Sequence, residues 1–151
     1  MSSGRLEGGC LCGAVRYTIE GPLGPIGFCH CRTCQKAEGG AFATTARLPR
    51  DAVRWQRGES SLRAWESSPG KKRHFCGLCG AKLFAVWDDQ DELILRVGSL
   101  DGDPGARPLV HIWTEESAPW YALVTRLPTF PRGVPPRSED RSPPAGRGER
   151  R

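Results

Sequence analysis

Seven cysteines fall in three short blocks, Cys10 and Cys12 in CLC, Cys29, Cys31 and Cys34 in CHCRTC, and Cys76 and Cys79 in CGLC. This two-three-two distribution restricts the fold more than any other feature, because neighbours that close must bring their sulfurs together. An odd number of thiols cannot all be paired in disulfides. Nothing in MSSGRLEGGC resembles the apolar stretch of a secretory signal, and no run of about 18 apolar residues occurs. The expected compartment is therefore the reducing cytoplasm, with no membrane contact. There, clustered cysteines bind metal or carry out chemistry rather than form disulfides.

Tetrahedral Zn–S bonds of about 2.3 Å place sulfurs roughly 3.7 Å apart. A CxxC turn meets that spacing readily. In a strand, residues i and i+2 face one side about 6.6 Å apart, so the sulfurs of a CxC unit must lean together. Gly8, Gly9, Gly13, Gly77 and Gly80 flank or interrupt the blocks and let the backbone crowd a metal. Seven thiolates divide between two zinc ions as four and three. Cys10, Cys12, Cys76 and Cys79 make a closed structural site that clips the start of the chain to its middle. Cys29, Cys31 and Cys34 supply three ligands to a second zinc, whose fourth position is left for water, a substrate thiolate or another side chain. Three protein ligands and an open position is the pattern of catalytic zinc. Two alternatives stand beside it: a histidine closes the second site, or its thiols are free. Among the histidines, His30 points away from its neighbours if the block is a strand. His74 borders the first site, and His111 in LVHIWT reads as a packed strand residue.

At 151 residues one domain is expected. In AVRYTIE, Val15, Tyr17 and Ile19 alternate with Arg16, Thr18 and Glu20, the period-two mark of a half-buried strand. Further short strands are predicted at GFCHC, AFATTA, AVRWQR, KRHFC, AKLFAVW, ELILRVG and PLVHIWT, separated by turns such as GPLGP, SSPG, DDQD and DGDPG. The fold class is mainly β, with a helical turn or two near CQKAEGG, closed by Gly39 or Gly40. The domain spans residues 5–131. Residues 132–151, rich in Pro, Gly, Arg and Ser, cannot bury enough to offset their ordering entropy and are expected to form a disordered, dispensable tail. That tail holds six arginines against three acids, so much of the net charge of +5 sits there and the body is only weakly basic. With no aromatic residues among the arginines, a nucleic-acid partner is not expected.

GGCLCGAVRY, FCHCRTCQKAEGGAF, HFCGLCGAKLF, RVGSLD and HIWTEESAPWY with LPTFP, in that order, resemble the glutathione-dependent formaldehyde-activating family, which includes centromere protein V-like proteins. The resemblance runs from about Gly8 to Pro131. It implies a β-tent-like fold of stacked antiparallel sheets with two zinc ions per chain. It also implies the same division of ligands, with Cys10, Cys12, Cys76 and Cys79 structural and Cys29, Cys31 and Cys34 catalytic. The implied reaction joins glutathione to formaldehyde, or reverses that step, as a carbon–sulfur lyase does.

A zinc held by three thiolates is a weak Lewis acid, so stabilising an incoming thiol as thiolate is the favoured role. Arg32, Lys36, Lys71, Lys72 and Arg73 flank the cysteine blocks and could meet the carboxylates of a peptide thiol, although each read singly is a solvated surface charge. Trp113, Trp120 and Tyr121 read as core packing. The expected function is a zinc-dependent carbon–sulfur lyase-type enzyme acting on a small thiol, such as glutathione, or a thiol-aldehyde adduct. The alternative is a non-catalytic zinc-binding module that mediates a protein or nucleic-acid interaction.

Overall fold

The computed structural model describes residues 4–123 and 125–135. Strands β1 (Arg5–Gly9), β2 (Arg16–Glu20) and β5 (Val53–Arg57) form a three-stranded antiparallel sheet with β2 in the centre. The larger sheet comprises β3 (Ile26–Cys29), β4 (Ala43–Pro49), β6 (Leu62–Ser68), β7 (Lys71–Cys76), β8 (Lys82–Trp87), β9 (Glu92–Arg96) and β10 (Pro108–Ile112). Its order is β10-β3-β4-β9-β8-β7-β6, antiparallel throughout except where β10 runs parallel to β3. The helix α1 (Arg32–Glu38) lies between β3 and β4 and ends on Gly39, whose φ of 72° is the left-handed conformation a helix stop favours.

The two sheets face one another across a shared core. Tyr17, Ile19 and Val53 come from the small sheet, and Leu48, Leu83, Leu93 and Leu95 from the large one. Cys10 and Cys76 belong to the same buried cluster, so the first cysteine group is continuous with the hydrophobic interior. The mainly β expectation holds, with the large sheet mixed because of the β10–β3 pair.

Each strand predicted from alternation is present, its ends moved by a few residues. Two further strands give no such signal. In β6 the residues from Arg63 to Glu66 are all exposed, because this strand forms an open edge and packs on neither side as an inner strand does. In β1 the RLEGG sequence ends in two glycines, and the strand exists through its pairing with β2. Of the expected tail, Arg132 accepts a 3.0 Å hydrogen bond from the Trp113 amide and pairs with Glu115 at 3.0 Å. Residues 136–151 lie outside the described residues.

The turn that carries the first cysteines is locked from behind by Gly58. Its φ is 75°, and a Cβ there would overlap the backbone carbonyl of Ala14. That carbonyl cannot retreat freely, because the Val15 oxygen next along the chain accepts from the Cys10 amide at 3.0 Å. Gly58→Ala is expected to destabilise the fold by about 2 kcal/mol or more, combining left-handed strain with a backbone clash. Denaturant unfolding checks this, and an unchanged midpoint would contradict it.

Candidate functional site

The cysteine blocks leave the extended conformation where their sulfurs converge. Cys10 is followed by a turn in which Gly13 donates to the Cys10 carbonyl at 3.2 Å, and Gly80 closes the second loop by donating to the Cys76 carbonyl at 2.8 Å. Both glycines have positive φ, 79° at Gly13 and 76° at Gly80. The Sγ atoms of Cys10, Cys12, Cys76 and Cys79 all lie within 4.8 Å of one another. The Cys10–Cys12 pair is 3.6 Å apart and the Cys12–Cys76 pair 4.0 Å, close to the spacing tetrahedral zinc requires. Backbone amides of Ala81 and then Cys12 directed at its sulfur hold Cys79 down at about 6, a thiol already prepared to act as an anionic ligand. Cys76 is fully buried, and the Cys10 sulfur accepts from the Val15 amide at 3.2 Å.

The second group is built on the start of α1. Cys29 ends β3, Cys31 is the helix N-cap and Cys34 lies one turn in, and their three sulfurs also fall within 4.8 Å of one another. The Cys31 sulfur accepts from the Cys34 amide at 3.3 Å. Among the described residues no fourth His, Cys, Asp or Glu donor joins this group. His30 points into the protein instead, where it is fully buried and its Nε2 lies 2.7 Å from His111 Nδ1. His111 is the packed strand histidine expected. His74 stacks on Phe84 with ring centroids 4.4 Å apart and belongs to neither sulfur group.

Arg73 corrects the sequence reading. It is buried, not solvated: its Nη1 and Nη2 each stand 3.8 Å from Cys34 Sγ while its Nε donates to Ser67 Oγ at 2.8 Å. A second buried arginine, Arg96, pairs with Glu38 at the end of α1 at 2.6 Å. Hydrogen bonds from Cys29 and Cys31, followed by the charges of Arg73 and Arg96, hold Cys34 far below the ordinary thiol range. Cys29 moves the opposite way, pushed up first by its contact with Cys31 and then by its contact with Cys34. The Arg73 guanidinium thus sets its positive charge directly against Cys34. The other flanking cations behave differently. Lys71 lies 5.0 Å over the Trp87 ring, and Lys72 forms a 2.7 Å surface pair with Asp88.

Gln35 has a tethering role that its sequence position does not show. It is buried, and its Nε2 donates to the His30 carbonyl at 2.6 Å and the Glu116 carbonyl at 2.8 Å, tying the cysteine-bearing helix to the segment after β10. No local pattern marks a glutamine for that role, since both partners are backbone groups brought in by the fold. Of the two tryptophans read as core packing, one is and one is not. Trp113 packs against the second cysteine group with a left-handed φ of 59°, whereas Trp120 is exposed. Tyr121 stands 5.7 Å from Phe42 and 6.2 Å from His30 between ring centroids.

The family described as glutathione-dependent formaldehyde-activating enzyme matches residues 5–116, which include all seven cysteines. The chain belongs to that family. A Halomonas elongata relative, named "Putative glutathione-dependent formaldehyde-activating enzyme", is 33% identical over 130 residues, covering 80% of this chain and 82% of its own length. A Rhodobacter sphaeroides protein of known crystal structure is 29% identical and superposes with a TM-score of 0.52, over 65% of this chain and 90% of that one. No helix among the described residues is long and apolar enough to cross a membrane.

The two groups are expected to respond differently to loss of a sulfur. Cys76→Ser removes a sulfur from a group that joins distant segments at the core, and structural zinc sites in general contribute on the order of 10 kcal/mol to folding. It should abolish the cooperative melting transition. Cys34→Ser, in a smaller cluster supported by Gln35 and Arg96, should keep that transition. Thermal melting followed by circular dichroism distinguishes them, and equal loss in both variants would make the second group structural as well.

Proposed function

We propose that this chain is a zinc-dependent carbon–sulfur lyase-type enzyme that adds a small thiol to an aldehyde and catalyses the reverse reaction. Glutathione and formaldehyde are the pair named for its family and its Halomonas relative. The observation that carries the reading is the three-sulfur group beside a buried arginine. In this reading Cys29, Cys31 and Cys34 hold one zinc and Cys10, Cys12, Cys76 and Cys79 hold the other. The donor set fits, because thiolates at these separations select a soft tetrahedral ion. When bound by three thiolates, zinc supplies a fourth position at which a substrate thiol is stabilised as thiolate.

The residues of the chain do the rest. Arg73 donates toward Cys34 and offsets part of the charge that three thiolates concentrate in a buried place. Arg96, fixed by Glu38, adds a second positive charge nearby. A polar cleft of about 620 Å³ borders Cys10 and Ala43, the latter packed on the second cysteine group, and presents Lys82, Arg96, Glu38 and Asp101. Charges of both signs suit a peptide thiol that carries carboxylates and an amine. In the forward direction the thiol sulfur bonds to the carbonyl carbon, and the proton lost from sulfur ends on the former carbonyl oxygen. The reverse direction breaks the same C–S bond.

Elemental analysis of zinc-replete protein should find two zinc ions per chain, the second lost first to a chelator because it has one fewer protein ligand. A single tightly held zinc would contradict the division into four and three. Arg73→Met should retain both ions under zinc-replete conditions and slow turnover of S-hydroxymethylglutathione by roughly 10- to 100-fold, the usual cost of losing a partner that tunes a metal ligand. Unchanged turnover would remove Arg73 from the mechanism.

A further inference from the structure

Arg73 has a second surface. Besides touching Cys34, it lines a cavity of about 180 Å³ whose other walls include Ala37 of α1, Trp65 of β6, His74 and Phe75 of β7, and Phe84 of β8. The floor is aromatic, with His74 and Phe84 stacked at an interplanar angle of 9°. Trp65 is 72% exposed and stands at the rim, a large apolar side chain left in solvent beside an aromatic cavity. Glu38, Arg96 and Lys82 border both this cavity and the polar cleft, so the two spaces adjoin across the Glu38–Arg96 ion pair. A ligand spanning them has a polar half and an apolar half, with the Glu38–Arg96 pair between the two and Arg73, which touches Cys34, in the wall of the apolar half.

We infer that the cavity is a subsite for the hydrocarbon substituent of an aldehyde larger than formaldehyde. Formaldehyde carries only hydrogen on its carbonyl carbon and would leave the cavity unused. The volume corresponds to about six water-sized units, room for a linear or aromatic group of about that many carbons. Mostly apolar walls give bound water few hydrogen-bond partners, so an alkyl or aryl group displaces it favourably. The reaction keeps the balance given above. RCHO and R′SH combine into RCH(OH)SR′, the thiol proton passes to oxygen, and R occupies the cavity while R′ occupies the cleft. This inference rests on the thiol-aldehyde reading, and it names the substrate class as apolar aldehydes and their thiol adducts.

The test uses the full zinc-loaded chain and isothermal titration with glutathione, S-methylglutathione and S-hexylglutathione, the thioethers serving as stable mimics of short and long adducts. The hexyl compound should bind at least about tenfold more tightly than the methyl compound, a conservative fraction of what burying the added methylenes can yield. Ala37→Leu, which fills the cavity, should cut that preference to about threefold or less. Trp65→Ala alters only an exposed side chain on an edge strand and should weaken the preference independently, covering the case in which the helix variant fails to fold. Equal affinity for the two thioethers alongside measurable glutathione binding would overturn the subsite and leave the thiol reading intact. A hexyl preference unchanged in the folded variants would also overturn it, because the chain would then bind elsewhere. Failure of all three compounds to bind would overturn the thiol reading and this inference with it.

Discussion

Four sulfurs from segments 64 residues apart meet between the small sheet and the large one, and the rest of the molecule is arranged around that meeting. Cys10 follows β1 and Cys76 ends β7, so the contact holds two separately built sheets in one orientation. The four sulfurs also sit at the edge of the shared core, where Cys76 is as buried as any leucine. Two thin sheets joined by many loops bury limited apolar area, and whole domains are stable by only about 5–15 kcal/mol. The proposed zinc at this junction would contribute free energy of comparable magnitude to docking the sheets.

The second cysteine group depends on that frame but is held differently. Its helix has only seven residues, too short to be stable alone, and is fixed by bonds made through side chains: Gln35 to two carbonyls and Glu38 to Arg96. Those bonds are made by side chains other than the three cysteines. Arg73 reaches them from β7, the strand that ends in Cys76, so one strand contributes to both groups. The strand that ends in the first group thereby sets the position of a guanidinium beside the second, more buried one.

The cysteine spacings made both groups legible before any coordinates, because CxC and CxxC units confine sulfurs locally whatever the fold does elsewhere. Alternation likewise revealed β2, β4, β8 and β9, whose inner faces meet the core. It could not reveal β6, where exposure on both faces erases the period, or β1, whose glycines carry no pattern. Arg73 and Gln35 were hidden for a related reason. Charge and amide residues are read as solvated unless a partner is visible, and their partners, Cys34 and two carbonyls, are distant in sequence or belong to the backbone. Trp120 erred in the opposite direction, an aromatic residue read as core that the chain leaves in solvent.

The central claim is that the second group binds zinc through three protein sulfurs and completes its shell with a substrate thiol. X-ray absorption at the zinc edge of the two-zinc protein, recorded before and after adding glutathione, addresses it directly because the method counts sulfur neighbours. Seven protein sulfurs shared between two ions are expected first, with lighter atoms completing the shell. Glutathione should raise the total to eight and remove the lighter neighbours. A sulfur count that does not change on adding glutathione would contradict the claim.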